Sequence, residues 1–271
     1  MKIAVGIILY EPDLDRLLEN VSAVAEQVDK IIIADNASSN ISEVKLRLTG
    51  FKNIYYIENK KNEGVAKALN QIIDMSNKCN MDWVVTLDQD SIISENFIKC
   101  CVKYMHIGGV AIITPRIIDR NDFSRELFMS NETSYVDECI TSGSLMNLKI
   151  CNQVGKFDEK MFIDYVDFEY CHRVTGCGYK ILYNPESILL HQLGDGEVKK
   201  ILGKPFFVAH HNPIRHFFLV RNCIYCIRKH GLYKRMLYRI CRDIFEVIIY
   251  EKCKLKKLTA IVNGIVSGFF M

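Results

Sequence analysis

The chain predicts an α/β fold: a Rossmann-like, mainly parallel sheet flanked by helices, followed by a basic helical C-terminal extension. Three observations carry that prediction. Over the first hundred residues, apolar runs of strand length alternate with stretches of helical periodicity, the rhythm of parallel strands joined by helical crossovers. The composition, 49% hydrophobic and 25% charged, supports a large core and excludes wholesale disorder. Residues 215–257 hold 12 Lys/Arg against 3 Asp/Glu, although the 271-residue chain carries only +3.

Residues 3–9 are a continuous apolar run and read as a buried first strand. They pass straight into Glu11-Pro12-Asp13 without a small-residue cleavage site, which argues against a secretory signal. Leu14, Leu17, Leu18, Val21 and Val24 then recur at helical spacing over 13–27, with Pro12 placed to open the helix. Residues 30–34, 53–57 and 83–87 are further strands, and 64–76 is an amphipathic helix before the last of these. Residues 110–114 form another strand, the polar stretch 119–125 reads as a loop, and 167–175 as a helix ended by Gly178. From Pro213 onward the pattern is helical and basic. The expected division is an α/β domain over 1–212 and a basic amphipathic segment over 213–271, whose apolar end at 265–270 reads as cut short.

The basic segment calls for an anionic surface, with a solvated helical face as the alternative. No apolar run reaches the roughly 18 residues needed to span a bilayer, so the segment is expected to lie on a membrane and not cross it. The eleven cysteines are scattered, and Cys223-x-x-Cys226 has no second pair at zinc-ribbon spacing. They read as reduced core residues of a cytosolic protein.

In open α/β sheets, ligands bind at the carboxyl ends of the strands. Polar clusters stand there in this chain: Tyr10-Glu11, Asp35-Asn36-Ala37-Ser38 and Asp88-Gln89-Asp90-Ser91. In extended backbone, residues i and i+2 project to one side, so Asp88 and Asp90 repel each other unless a cation sits between them. A hard divalent ion, Mg²⁺ or Mn²⁺, resolves this and keeps coordination sites for a diphosphate.

With its surroundings, the chain resembles the inverting glycosyltransferase family 2, whose fold is GT-A. The matching pieces are Tyr10-Glu11-Pro12, Asp35-Asn36-Ala37-Ser38, the run Asn62-Glu63-Gly64-Val65-Ala66-Lys67-Ala68-Leu69-Asn70 and Asp88-Gln89-Asp90-Ser91. Phe162-Ile163-Asp164-Tyr165-Val166-Asp167-Phe168-Glu169 with Arg173 follows, and then His191-Gln192-Leu193-Gly194. Asp-Gln-Asp-Ser, His-Gln-Leu-Gly and the late Arg215-x5-Arg221-Asn222 are most similar to bacterial rhamnosyltransferases of polysaccharide and O-antigen assembly. That narrower resemblance implies dTDP-β-L-rhamnose as donor and an α-linked product.

The family likeness implies the site roles. Asp35 would bond the nucleobase, with an Asx-turn as the competing account. Tyr10, Asn62 and Gly64 would line the nucleotide, and Asp88 and Asp90 would hold the metal and the donor diphosphate. His191 matches a histidine that completes the metal shell in some members, and equally reads as a structural residue at a strand end. Arg221 would fork onto a phosphate or form a surface salt bridge. Members carry an acidic pair whose Asp is the catalytic base; counting back from Arg173 puts Val166-Asp167 there, so the first acid is missing. Asp167 is the expected base and Asp164 its rival, with Glu169 also in range.

The acceptor implied is a growing lipid-linked oligosaccharide, met at the cytoplasmic face of a membrane. Two other classes compete. A nucleotide-binding oxidoreductase would need a G-x-G-x-x-G turn after the first strand, where Leu9-Tyr10-Glu11-Pro12 stands. A catalytically inactive tethering subunit is favoured only by the missing first acid. Within the family, a UDP-hexose or UDP-N-acetylhexosamine donor is the alternative to dTDP-rhamnose.

Overall fold

Alternating apolar runs and helical periods fold as read through the first half. The computed structural model describes residues 1–127, 130–192, 196–201 and 204–271. It divides into two compact units: Met1–Glu159 with Asp167–Leu193, and Lys160–Val166 with Gly194–Met271.

In the first unit, β1 (Ile3–Leu9), α1 (Leu14–Val24), β2 (Lys30–Asp35), α2 (Ile41–Arg47), β3 (Ile54–Glu58), α3 (Val65–Lys78) and β4 (Trp83–Asp88) build the parallel half. Asp13 caps α1 by accepting from the backbone N–H of Asp15 and Arg16, so the helix opens on Asp13 with Pro12 just outside it. Next come β5 (Ile92–Ile93), α4 (Phe97–Met105), β6 (Val110–Asp119), β7 (Asp122–Leu127), β8 (Ser134–Val136), β9 (Ser144–Asn147), α5 (Leu148–Val154), α6 (Val166–Gly176) and β10 (Lys180–His191). The sheet order is β3-β2-β1-β4-β9-β6-β10-β5, with β7 on β6 and β8 on β10. Its core is aliphatic: Val5, Ile7, Ile33, Val85, Leu87 and Ile113 are buried among the helices. Gly6 lets α3 close onto β1, because a Cβ there would stand 2.1 Å from the Ile72 side chain.

The sheet is flanked by helices as expected and is mixed beyond its parallel half, since β9 runs antiparallel between β4 and β6. At four residues β9 is too short for its periodicity to show. The stretch 119–125 is not a loop, because β6 continues to Asp119 and turns back as β7, with Asn121 N–H bonded to Asp119 Oδ1 at 3.0 Å. Polar residues persist there because an antiparallel edge needs only one buried face.

The second unit holds the hairpin β11 (Glu197–Ile201) and β12 (Lys204–Val208) and the helices α7 (Pro213–His230), α8 (Tyr233–Ile249) and α9 (Lys254–Phe270). Asn212 caps α7 with Pro213 in its first turn, and Gly231 ends it at φ 69°. Among the described residues, no helix is long and apolar enough to cross a membrane. All eleven cysteines are free, and Cys101, Cys139, Cys151, Cys171, Cys223 and Cys226 are buried. Cys177, Cys241 and Cys253 are exposed, so the reading of core cysteines does not extend to them.

Candidate active site

The parallel register sets Ile8 opposite Asp88 and Leu9 opposite Asp35. Both acids therefore emerge at one edge of the sheet, on either side of β1, where open α/β sheets take their ligands. Buried Asn20 donates to Asp88 O at 2.8 Å, and Ser91 N–H closes a turn onto the same carbonyl at 3.2 Å. Tyr10 N–H donates to Gln89 Oε1 at 2.9 Å, so the residue between the two acids is tied to the loop after β1.

Asp88, Asp90 and His191 come together, with ligand atoms all within 4.8 Å of one another. His191 Nε2 lies 3.8 Å from Asp88 Oδ2, and Nδ1 lies 3.7 Å from Asp90 Oδ1. The short β5 makes this possible by pairing Ile92 with Leu190, next to His191. Arg120 secures both sides, donating from Nη1 to Asp90 O at 2.7 Å and from its backbone N–H to His191 O at 3.1 Å. The donor set fits a divalent cation. Two carboxylates this close favour a hard divalent ion, and the imidazole adds a nitrogen ligand. Leu193 and Gly194, which complete the His-Gln-Leu-Gly run, lie outside the described residues.

Along the same edge, the buried carboxylate of Asp35 accepts from Ser38 N–H at 3.1 and 3.3 Å, forming an Asx-turn. Asn36 Oδ1 accepts from Asn59 Nδ2 at 3.0 Å, and its Nδ2 donates to Gly64 O at 3.4 Å. Asn62 Oδ1 accepts from Gly64 N–H at 3.0 Å, and Gly64 holds φ 86°, a conformation that favours glycine. Asn62 and Gly64 are thus fixed against the Asp35 loop. Tyr10 is exposed, and the Glu11 carboxylate accepts from Ser39 N–H and Oγ, which holds its pKa below the ordinary value.

The three acids considered for proton transfer have different surroundings. Glu169 is buried and gripped by Arg173 through Nε and Nη2 at 2.9–3.0 Å, and Arg173 also donates to Lys156 O. Asp167, in the first turn of α6, accepts from Phe168 N–H at 2.9 Å and lines a small pocket with Thr141, Ser144, Met146 and Tyr170. Asp164 belongs to the second unit. It sits at φ 66°, pairs with Arg215 at 3.0 Å, and its carbonyl accepts from buried Asn222.

Arg221 also belongs to the second unit. Its Nη2 donates to Lys160 O at 2.9 Å, Nε donates to Asn222 Oδ1, and the guanidinium lies 4.7 Å over Phe218. Burial lowers its pKa. Arg215, Arg221 and Asn222 therefore all hold the segment 160–164. The sequence reading missed Asn20, Arg120 and Ser142. Arg120 was within reach, because Ile117-Ile118 extends the apolar run of β6 and puts Asp119-Arg120 at a strand's carboxyl end.

Residues 5–167 match the family model described as "Glycosyl transferase family 2". The chain is 31% identical over 258 residues to the "dTDP-rhamnosyl transferase RfbF" of Shigella flexneri, covering 89% of this chain and 84% of that one. It is 26% identical over 183 residues to the "Low-salt glycan biosynthesis hexosyltransferase Agl10" of Haloferax volcanii, covering 60% and 57%. Among solved structures, GalNAc-T7 with UDP, GalNAc and Mn²⁺ superposes at TM-score 0.65 with 14% identity, over 95% of this chain and 53% of that one. S. aureus TarS superposes at 0.61 with 14% identity, over 100% and 49%. The chain thus spans about half the length of these two structures, and at such identity they speak for the fold alone.

Proposed function

Because the chain belongs to glycosyltransferase family 2, with the GT-A fold and glycosyltransferase activity of that family, we propose that it transfers L-rhamnose from dTDP-β-L-rhamnose to a saccharide hydroxyl. The acceptor in this reading is a lipid-linked oligosaccharide of cell-surface polysaccharide synthesis, met at the anionic inner face of the cell membrane. The observation that carries the donor is the 31% identity, across nearly the whole chain, to a dTDP-rhamnosyl transferase.

In this reading Asp88, Asp90 and His191 hold a Mg²⁺ or Mn²⁺ ion. When bound, the ion supplies positive charge against the nucleotide diphosphate as the bond to the sugar breaks. Asp35 orients the nucleobase, with Tyr10, Asn62 and Gly64 lining the nucleotide. Asp167 takes the proton from the acceptor hydroxyl as general base, and the sugar transfers in one in-line displacement with inversion. Arg221 adds its charge to a phosphate of donor or acceptor while its Nε and Nη2 hold residues 160–164 in place. The domain assignment belongs to the same reading: a catalytic part over 1–212 and a membrane-lying part over 213–271.

A thermal-shift titration with dTDP, UDP and GDP in Mn²⁺, paired with a donor-hydrolysis screen, tests it. The largest stabilisation is expected from dTDP, and EDTA is expected to abolish turnover until Mn²⁺ is returned. A clear preference for UDP would replace rhamnose by a hexose or N-acetylhexosamine, and full turnover in EDTA would remove the metal.

A further inference from the structure

Behind the Asp88–Asp90–His191 cluster lie two serine hydroxyls, both buried. Asp88 N–H donates to Ser142 Oγ at 3.1 Å. Ser142 Oγ lies 2.7 Å from Ser91 Oγ, and Ser91 Oγ lies 2.9 Å from His191 Nδ1. The three bonds form an unbroken path from the backbone of one acid of the cluster to its imidazole. They draw on three separate stretches of chain: the turn after β4, the turn before β9 and the end of β10.

A hydroxyl both donates and accepts, so the pair can run in two senses. If Ser142 donates to Ser91 and Ser91 donates to Nδ1, the neutral imidazole keeps its proton on Nε2. That nitrogen then offers a donor toward Asp88. If Nδ1–H donates to Ser91 and Ser91 donates to Ser142, Nε2 carries a bare lone pair on the side of Asp88 Oδ2. Only the second sense makes His191 a ligand. The Asp88 N–H always occupies one lone pair of Ser142, so Ser142 has one acceptor position left for Ser91.

We infer that Ser91, backed by Ser142, is a positioning residue: it fixes the ring and tautomer of His191 so that Nε2, and not Nδ1, is presented beside Asp88. Histidine ligands gain affinity from such a partner on the second nitrogen, and losing it typically weakens metal binding by about 10–100-fold. Ser91 acts through His191 and touches neither donor nor acceptor. Gly143 supports the arrangement next door. At φ 78°, a Cβ there would meet Pro115 at 2.8 Å and Leu189 at 2.9 Å, so the turn carrying Ser142 is packed close against the strands.

The inference rests on the metal reading of the cluster, and the test separates the two. Mn²⁺ alone is titrated into the full chain, with free ion followed by electron paramagnetic resonance, and each variant's melting temperature is recorded. Asp90→Ala and His191→Ala are expected to weaken Mn²⁺ binding strongly, and Ser91→Ala by about 10–100-fold. Ser91→Ala added to His191→Ala is expected to change nothing further, because a residue acting through the imidazole has nothing to position once it is gone. Ser142→Ala, one bond further back, gives a smaller loss and serves if Ser91→Ala does not fold. Two results would overturn the proposal while leaving the metal site standing: wild-type affinity in both serine variants, or the same loss whether or not His191 is present. Wild-type affinity in Asp90→Ala and His191→Ala would overturn the site and the proposal together.

Discussion

Asp167 and Glu169 are two residues apart on one helical turn, yet their environments differ. Glu169 is enclosed by Arg173, whose guanidinium also reaches the carbonyl of Lys156, so this pair braces α6 against the segment after α5. Removing one member of a buried ion pair strands the other and costs about 3–5 kcal/mol. Glu169→Gln is therefore expected to lower the melting temperature sharply. Asp167→Asn is expected to melt near the wild-type temperature and lose turnover by about 10²–10⁴-fold, the range of general-base assistance. Asp164→Asn is expected to lose less, since its carboxylate already pairs with Arg215. Measuring turnover, donor affinity and melting for all three variants decides the matter. A dead Asp164→Asn beside an active Asp167→Asn would move the base three residues upstream.

At the scale of elements, the close approach of α7 and α9 depends on two glycines one helical turn apart. A Cβ on Gly264 would lie 2.6 Å from Phe217 O, and one on Gly268 would lie 2.6 Å from Arg221 O and 2.7 Å from Ile224 Cβ. Both glycines meet backbone carbonyls, which cannot swing aside as a side chain can, so a larger residue must lift the helix. Gly264→Val is expected to destabilise the second unit by about 1–3 kcal/mol, in the manner of other overpacked contacts. Val262→Ala, on an exposed position of the same helix, is the control and is expected to change little. Equal melting of the two variants would show that the helices are not packed this closely. The glycines also explain why α9 could be read from the sequence as a helix but not as a packed one: nothing in its periodicity says which face must be bare.

At the scale of the molecule, the charge asymmetry places the basic excess in the second unit. Its helices also leave large apolar side chains in water, among them Tyr238, Ile248 and Ile249 of α8 and Leu255, Val266 and Phe270 of α9. Exposed apolar residues interleaved with lysine suit a surface that is anionic and apolar at once, as a lipid headgroup layer is. Not every lysine belongs to that surface. Lys257 is buried and pairs with buried Glu251 at 2.6 Å, so it is a core residue whose loss would strand a carboxylate. Burial pushes the Glu251 carboxyl up, but the bonds from Lys257 and His210 outweigh it and leave its pKa below the ordinary value. That contribution to stability is present at neutral pH and is lost as pH falls through the lowered pKa. The exposed Lys252, Lys254 and Lys256 are the right positions for a membrane test. Their reversal to Glu is expected to release the protein from anionic liposomes without unfolding it, and wild-type binding is expected to weaken with salt. Equal affinity for neutral vesicles would remove the electrostatic part of the reading.

Much of this was legible in the chain alone, because it depends on local physics. Apolar runs of strand length bounded by turn residues read as buried strands, a 3.6 period marks the buried face of a helix, and parallel strands bring their carboxyl ends to one edge. That reasoning located Asp35 and Asp88 at their shared edge without coordinates. What the sequence could not settle were the relations between distant segments. His191 joins Asp88 and Asp90 from a hundred residues away because the two-residue β5 pairs with the end of β10, and no periodicity exists in two residues. Ser142, Arg120 and Asn20 reach the same cluster from two turns and a helix, and Lys257 became a core residue because Glu251 folded onto it. Side-chain partners of this kind are chosen by tertiary packing, where burial makes an unpaired polar group too costly to leave alone.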